Sequence, residues 1–366
     1  MLSIYIDEKG TPFKTAGKID YVAAWYYKAA EYMISTNART AFVSTNSITQ
    51  GEQVASVWKP LFDMFGISID FAHRSFEWTS EASDKAAVHC VIVGFSANYD
   101  GERVIFDGET KVIAANISPY LIDNETVFIE SRRQPLCDVV NMVWGSKPVD
   151  GGHLIIEAKE CEDFIKNEPL AEKYIKRLMG GEELINNKIR YCLWLTNISP
   201  SELMKMPLVM KRISEVRLMR ENSKKEATRR LADTPVVFAE IRQPNSEYIA
   251  IPEVSSDSRR YIPMGFLNPD IIASNLLQLI PNATLYHFGI LTSNVHMAWM
   301  RVVAGRLGRG YRYSGTIVYN NFPWPDATDT QKAEIEKLAQ GVLDARNEYP
   351  DSTLADMYGE TSMLPR

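Results

Sequence analysis

Two segments with helical periodicity alternate with short β-rich runs over the first hundred residues, and the last run follows its predecessor with no helix between them. This order constrains the fold more than any single motif. Residues 19–35 place Val22, Trp25, Tyr26, Ala29 and Met33 at helical spacing on one apolar face. A β-rich run at 40–45 follows, then the punctuation Asn46-Ser47, then a second amphipathic segment at 50–65 with Val54, Val57, Trp58, Leu61 and Phe62 in register. Residues 67–72 read as a second strand, 74–85 as a polar loop and 86–95 as a third strand. Parallel neighbours need a crossover of about a dozen residues or more, usually a helix, whereas a bare loop joins an antiparallel pair. The pattern predicts an α/β sheet whose third strand runs against its second.

The register changes at 116–119. Beyond it lie the Gly- and Pro-punctuated stretches SKPVDGGHLII and MGGEELINNKIRYCLWL. Residues 204–231 predict one or two helices, with Leu208, Ile213, Val216 and Leu218 set among charges. From 236 to 263 the β-rich runs VVFAEIR, EYIAIPEV and RYIPMGF alternate with turn residues, which predicts an antiparallel sheet. An acidic helix is expected at 329–348. At 366 residues and 45% hydrophobic content, the chain can bury more than one core. The expected parts are 1–115, 116–325 and 326–366.

Charge is spread unevenly about a formal net of −6, which argues against a uniformly basic coat for a polyanion. Residues 205–230 carry nine basic and three acidic side chains, fitting either a solvated helix face or a phosphate contact. Residues 289–325 hold four arginines, three tyrosines and two tryptophans with no acidic side chain, a local cationic surface with rings inside it. A nucleic-acid-reading surface needs that combination. Arg301, Arg306, Arg309 and Arg312 fall on or just after a predicted helix at 293–304. An arginine bonding guanine O6 and N7 together discriminates by about 1–3 kcal/mol, while a phosphate contact adds affinity without sequence information. Arg309 and Arg312 lead the DNA-binding candidates, with Arg306; Arg301 fits a helix-surface ion pair. Tyr313, alternating with Arg312 as Tyr311 does, is a candidate whose other explanation is packing. Lys147 in the SKPVDGG turn, and Arg132 beside Arg133, are candidate phosphate contacts.

Cys90, Cys137, Cys161 and Cys192 form no CxxC pair and have no histidine at ligand spacing, so a reduced, cytoplasmic chain without a metal is expected. His287 and His296, nine residues apart on an apolar segment, read as core or surface histidines. No apolar stretch is long enough to span a bilayer and the first residues lack a signal-peptide pattern, so no membrane or secretory role is expected. The sequence holds no Gly-rich strand-to-helix turn for a nucleotide, no Asn/Asp-Pro-Pro-aromatic tetrapeptide, no GxSxG, no P-loop and no HExxH. The expectation is a chain that has no catalytic residue and binds no cofactor by itself.

Eight blocks carry a resemblance: TAFVSTNSITQGEQV, FAHRSFEWTSEASDKAAVHCVIVGF, NISPYLID, WGSKPVDGGHLII, RYCLWL, RQPNSEYIAIPEVSS, RYIPMGFL and GRLGRGYRYSGTIVYNNFPWP. In this order they cover nearly the whole chain and resemble the C-terminal part of the N6-adenine DNA methyltransferases of MmeI-like type II (IIG/IIL) restriction-modification enzymes. The resemblance implies an α/β plus α+β fold. It would comprise the C-terminal half of a class I S-adenosylmethionine-dependent methyltransferase sheet, a mixed α+β target recognition domain and a short helical tail. It further implies recognition of double-stranded DNA and support of a flipped adenine, within an intact enzyme that uses S-adenosyl-L-methionine. Nuclease, cofactor pocket and catalytic tetrapeptide would belong to a missing N-terminal part, in the same gene or a separate chain. An aromatic in HRSFEW would stack on the extruded adenine, replacing stacking worth about a few kcal/mol. Phe76 and Trp78 are the candidates, and capping of the sheet's apolar edge is the alternative. Asn46 and Ser47 follow a strand end where family enzymes line the site, with helix capping as the other explanation. Gly308 and Gly310 stand where relatives carry polar side chains for base readout, which leaves backbone readout, a degenerate target position or lost specificity. Two rival readings remain: a stand-alone specificity module working with separate catalytic chains, and a degenerate product whose truncated sheet exposes an apolar edge and face.

Overall fold

The computed structural model describes residues 1–78 and 88–363. They divide into two compact units, one made of residues 1–134 and 298–322, the other of 135–297 and 323–366.

In the first unit, helices α1 (Ala23–Met33) and α2 (Gly51–Phe65) pack on a five-stranded sheet. Its strands are β1 (Arg39–Thr45), β2 (Ser68–Trp78), β3 (Val88–Ser96), β4 (Arg103–Asp107) and β5 (Thr110–Ala114), in the order β1-β3-β2-β4-β5. Strand β3 is antiparallel to both β1 and β2, so those two run the same way, joined through α2 with β3 inserted between them. The predicted antiparallel closure is therefore present. The apolar stripe of α2 buries Val54, Val57, Trp58 and Leu61, and the Trp58 indole donates to the Ile48 carbonyl at 2.9 Å. Gly66, at φ 61°, ends the helix in the left-handed conformation that favours glycine. Tyr26 of α1 meets the rings of Phe42, Trp58 and Phe95 at 5.2, 5.2 and 5.4 Å, and its hydroxyl bonds Ser44 Oγ at 2.9 Å.

Two expectations for this unit are corrected. Trp25 does not share the buried face of α1: small Ala23, Ala24 and Ala30 let the helix approach the sheet, so the buried side centres on Tyr26 and Tyr27 and Trp25 points outward. HRSFEW is not a loop, because β2 continues through it, pairing Phe76 with Cys90 and Trp78 with Val88 beyond a bulge after His73. Neighbouring groups hold the extension in place. The His73 ring stacks on Phe106 at 4.4 Å, and Arg74 donates to the Leu121 carbonyl and to Asp107. Residues 79–87, which include the rest of the expected loop and the start of the expected third strand, lie outside the described residues.

Gly94 sits opposite Phe71, and a Cβ there would come within 2.1 Å of the Phe71 ring. Gly94→Ala is expected to cost about 1–3 kcal/mol through overpacking. Urea unfolding measures the loss, and Phe71→Leu in the same background should recover part of it.

The second unit holds two four-stranded sheets. Its strands are β6 (Val143–Trp144), β7 (Ile155–Glu157), β8 (Ile175–Met179), β9 (Arg190–Leu193), β10 (Tyr248–Pro252), β11 (Val254–Ser255), β12 (Gly265–Leu267), β13 (Ile272–Ala273) and β14 (Leu277–Pro281). The sheet orders are β12-β10-β14-β6 and β13-β8-β9-β7. The basic segment folds as helices Pro207–Glu221 and Glu226–Arg230, the first burying Val209, Ile213 and Val216 against Leu154, Ile156 and Leu193. The acidic helix spans Asp329–Asn347 and lies close to helix Leu285–Leu291, where a Cβ on Gly289 would meet Ile335 at 2.7 Å.

The antiparallel sheet expected across 236–263 forms only in part, because residues 236–242 contribute no strand. A side chain takes up the Val237 carbonyl there instead. Arg220, fully buried on its helix, donates to the backbone oxygens of Pro148, Val149, Leu231, Thr234 and Val237 at 2.8–3.0 Å. Bonds from Lys147 N to Glu240 O (2.9 Å) and from Ala239 N to Pro148 O (3.1 Å) complete the seam.

Candidate nucleic-acid interface

The cationic block is built on a helix and a hairpin. Helix Asn294–Val303 starts at Ser293, whose hydroxyl accepts the His296 amide at 3.1 Å. Strands β15 (Gly305–Leu307) and β16 (Gly310–Arg312) follow in the first unit, paired antiparallel from Gly305↔Arg312 to Leu307↔Gly310. Only Gly308 and Arg309 lie in the turn, and only Gly308 has a positive φ, 58°. Glycine at the first of two central positions is the type II′ hairpin signature. No atom lies within 4 Å of a Cβ built on Gly308, so the backbone conformation and not space accounts for the glycine.

The turn carries Arg309 at its exposed tip, and Arg312 is exposed on the following strand. Arg306 is half-buried: its guanidinium lies 3.9 Å from the Tyr311 ring centroid and donates to the Arg309 carbonyl at 3.0 Å. It braces the turn that presents Arg309. Tyr313 is corrected from the DNA-binding candidates, because it is fully buried and burial drives its hydroxyl far above the ordinary tyrosine range. Alternation about Arg312 puts Tyr311 and Tyr313 together on the inward side. The base of the hairpin seats on α2, where a Cβ on Gly51 would lie 3.0 Å from Gly305 Cα.

At the end of β1, Asn46 Nδ2 donates to Ser75 Oγ at 2.7 Å and Ser47 Oγ to Asp20 Oδ2 at 2.5 Å. Neither side chain caps α2. The structure thus brings Asn46 against HRSFEW. Phe76 and Trp78, two residues apart, point to one face of β2; Phe76 is half-buried and Trp78 is 49% exposed.

Arg132 and Arg133 are exposed, on a segment stitched to the chain just after the hairpin. Arg132 N donates to Thr316 O at 3.0 Å, Asn320 Nδ2 to Arg132 O at 2.8 Å, and Asn321 Nδ2 to Glu130 O at 3.1 Å. These buried asparagines make NNFPWP a packing corner. Arg301 is half-buried. Lys147 belongs to the second unit, exposed on the loop that Arg220 holds. Arg220 was not among the residues singled out in the sequence, and Arg306, singled out there as a DNA-binding candidate, also braces the turn. Among the described residues no group of three or more His, Cys, Asp or Glu side chains could hold a metal ion, and no helix is long and apolar enough to cross a membrane.

Three family models match successive parts of the chain. Residues 6–107 match the MmeI DNA-methyltransferase domain, 123–326 the MmeI target recognition domain and 327–366 the MmeI C-terminal domain. DNA methyltransferase A of Bacillus subtilis (strain 168) is 43% identical over 351 residues, covering 96% of this chain and 40% of that protein. The type IIL restriction-modification enzyme MmeI, solved in complex with DNA, superposes with a TM-score of 0.92 at 46% identity, covering 96% of this chain and 48% of that one. The chain spans less than half the length of either relative. With matching methyltransferase, target recognition and C-terminal regions, the chain belongs to the MmeI family.

Proposed function

We propose that this chain reads duplex DNA and supports a base turned out of the helix, as part of a site-specific adenine-N6 DNA methyltransferase of a restriction-modification system. The observation that carries the reading is the braced hairpin, in which Arg306 and Tyr311 fix the turn that offers Arg309 and Arg312 to solvent. A rigid support matters because a guanidinium discriminates a guanine edge only when its two donors arrive together. Lys147, Arg132 and Arg133 supply phosphate contacts on this reading. Phe76 or Trp78 gives the extruded adenine a π surface to replace its lost neighbours.

The five-stranded sheet is, in this proposal, the closing half of a class I S-adenosylmethionine-dependent sheet, with the recognition part at 116–325 and the tail at 326–366. S-adenosylmethionine supplies the methyl group in the intact cytoplasmic enzyme. Its pocket and the catalytic tetrapeptide belong to a methyltransferase part that partners this one, in the same polypeptide or a separate one.

Selection from a randomised duplex library tests the assignment. Arg309→Ala and Arg312→Ala are each expected to change the preferred sequence, with about 1–3 kcal/mol of discrimination lost at one position. Equal loss on all duplexes would reassign both side chains to phosphates.

A further inference from the structure

We infer that Asn46 and Arg74 are positioning residues, which pin a one-residue bulge in β2 and thereby turn Phe76 and Trp78 to the face that receives the extruded adenine. The inference rests on the reading of those rings as the π surface for that base, and it names what aims them.

The strand register shows what the bulge does. His73 pairs with Ile92 and Phe76 with Cys90, so Arg74 and Ser75 together stand opposite Val91 alone. One extra residue in a strand moves every later side chain to the other face of the sheet. Val91, Val93 and Phe95 of β3 lie in the core shared with α1 and α2, and Ala72 of β2 sits there beside Val93. Phe76 and Trp78 lie an even number of residues beyond Ala72, so in an unbroken strand both would point into that core. The bulge sets them instead on the face of His73, Cys90 and Ile92, where Val43, paired with Ile92, is exposed. Phe76, Cys90 and Thr45 form one row across three strands, at the level where β1 ends. Asn46 is the next residue.

Two ties hold the bulge, one from each side. From the end of β1, Asn46 Nδ2 donates to Ser75 Oγ at 2.7 Å. Arg74 reaches the other way: its Nη1 pairs with Asp107 at the end of β4 at 2.8 Å, and its Nε donates to the Leu121 carbonyl at 3.1 Å. Leu121 has a φ of 57°. A leucine holds that conformation only where its surroundings over-determine it, and such positions gather at functional sites. Bulges likewise recur beside active sites, where they re-aim a side chain. Without the two ties the extra residue is free to move along the strand, and each one-residue shift exchanges the faces.

The test uses the full chain and two pools of randomised duplex, identical except that one fixed adenine faces thymine in the first and an abasic site in the second. An unpaired base costs less to extrude, so a chain that receives it on an aromatic ring should favour the second pool by about tenfold. The double variant Phe76→Ala, Trp78→Ala should abolish the preference. Asn46→Ala, Ser75→Ala and the two combined should each lower it by about the same factor, roughly threefold, because either change breaks the one tie. Arg74→Gln should lower it as well. General damage to the fold, which circular dichroism checks, would reduce retention of both pools and leave the partition between them where it was.

An effect of Asn46→Ala that Ser75→Ala does not share would place Asn46 on the DNA itself and overturn the positioning role. A preference that needs the rings but ignores the changes at 46, 74 and 75 would overturn it too, and would leave base support standing. A preference that survives loss of both rings, no preference at all, or retention of neither pool would contradict base support and the inference with it. Recognition by the hairpin is read separately, from the sequences that Arg309→Ala selects.

Discussion

Arg220→Met is expected to destabilise the second unit by about 4 kcal/mol, near the upper end of single-residue effects. The wild-type guanidinium is fully buried and spends its donors on five backbone carbonyls from two segments, 148–149 and 231–237. Burial lowers its pKa from the usual arginine value, an effect partly offset by the charge of Asp150. Methionine fills much of the volume but donates nothing, and each carbonyl left buried without a partner costs about 1–3 kcal/mol before relaxation or water entry recovers part. Arg220→Lys, with one compact donor group in place of a planar fork, should lose roughly half as much. Urea unfolding gives both values, and limited proteolysis should show earlier cleavage near Lys147. A loss below about 1 kcal/mol for the methionine variant would show that the carbonyls find other partners.

The second large effect is acid lability from His296. It is fully buried, and desolvation pushes its pKa down to about 3 from the ordinary 6.5. Between those values the unfolded chain holds a proton on this imidazole that the folded chain does not, so stability falls as pH drops below about 6.5 and the effect levels off below about 3. Each unit of pH inside the window is worth about 1.4 kcal/mol, which makes the contribution about 3 kcal/mol at pH 4. Carboxylates also titrate there, so the measured quantity is the difference between two slopes. Stability of His296→Gln, followed by urea unfolding from pH 7 to 4, should decline less steeply than that of the wild-type chain. Identical slopes would mean that the imidazole protonates in the folded state near its ordinary value.

Where the sequence was legible, one physical constraint acted alone. The stripe of α2 could be read because Val54, Val57, Trp58 and Leu61 repeat at helical spacing and all face one core. The antiparallel closure of β3 on β2 followed from the lack of residues for a crossover. Periodicity was less decisive in α1, where Tyr26, Tyr27 and Trp25 are adjacent and large, and the small alanines decide which side approaches the sheet. HRSFEW was misread because its polar residues suggest a loop, yet a strand with one solvated face carries polar residues at alternate positions. The β4–β5 hairpin was overlooked although Asp107-Gly108 marks its turn, with Gly108 at φ 58°.

In the candidate interface, composition identified the cationic block but could not assign tasks within it. Arg306, Arg309 and Arg312 look alike in sequence, and only the hairpin separates the brace from the two exposed guanidinium groups. Gly308, which read as a missing side chain for base contact, has a conformational reason in the turn. Arg220 was one of nine basic residues in its segment, and nothing local distinguished the buried one from those in water.

DNA recognition as proposed depends most on the chain gripping double-helical DNA through exposed cationic side chains. Fluorescence anisotropy of the full chain with a labelled duplex of about 30 base pairs, titrated at several salt concentrations, measures this directly, since log affinity should fall with log salt by about 0.9 for each phosphate neutralised. Affinity should decline steeply, with the slope reduced by about one contact's worth in Lys147→Ala. A folded chain that ignores duplex DNA in dilute buffer, or binds it with no dependence on salt, would contradict it.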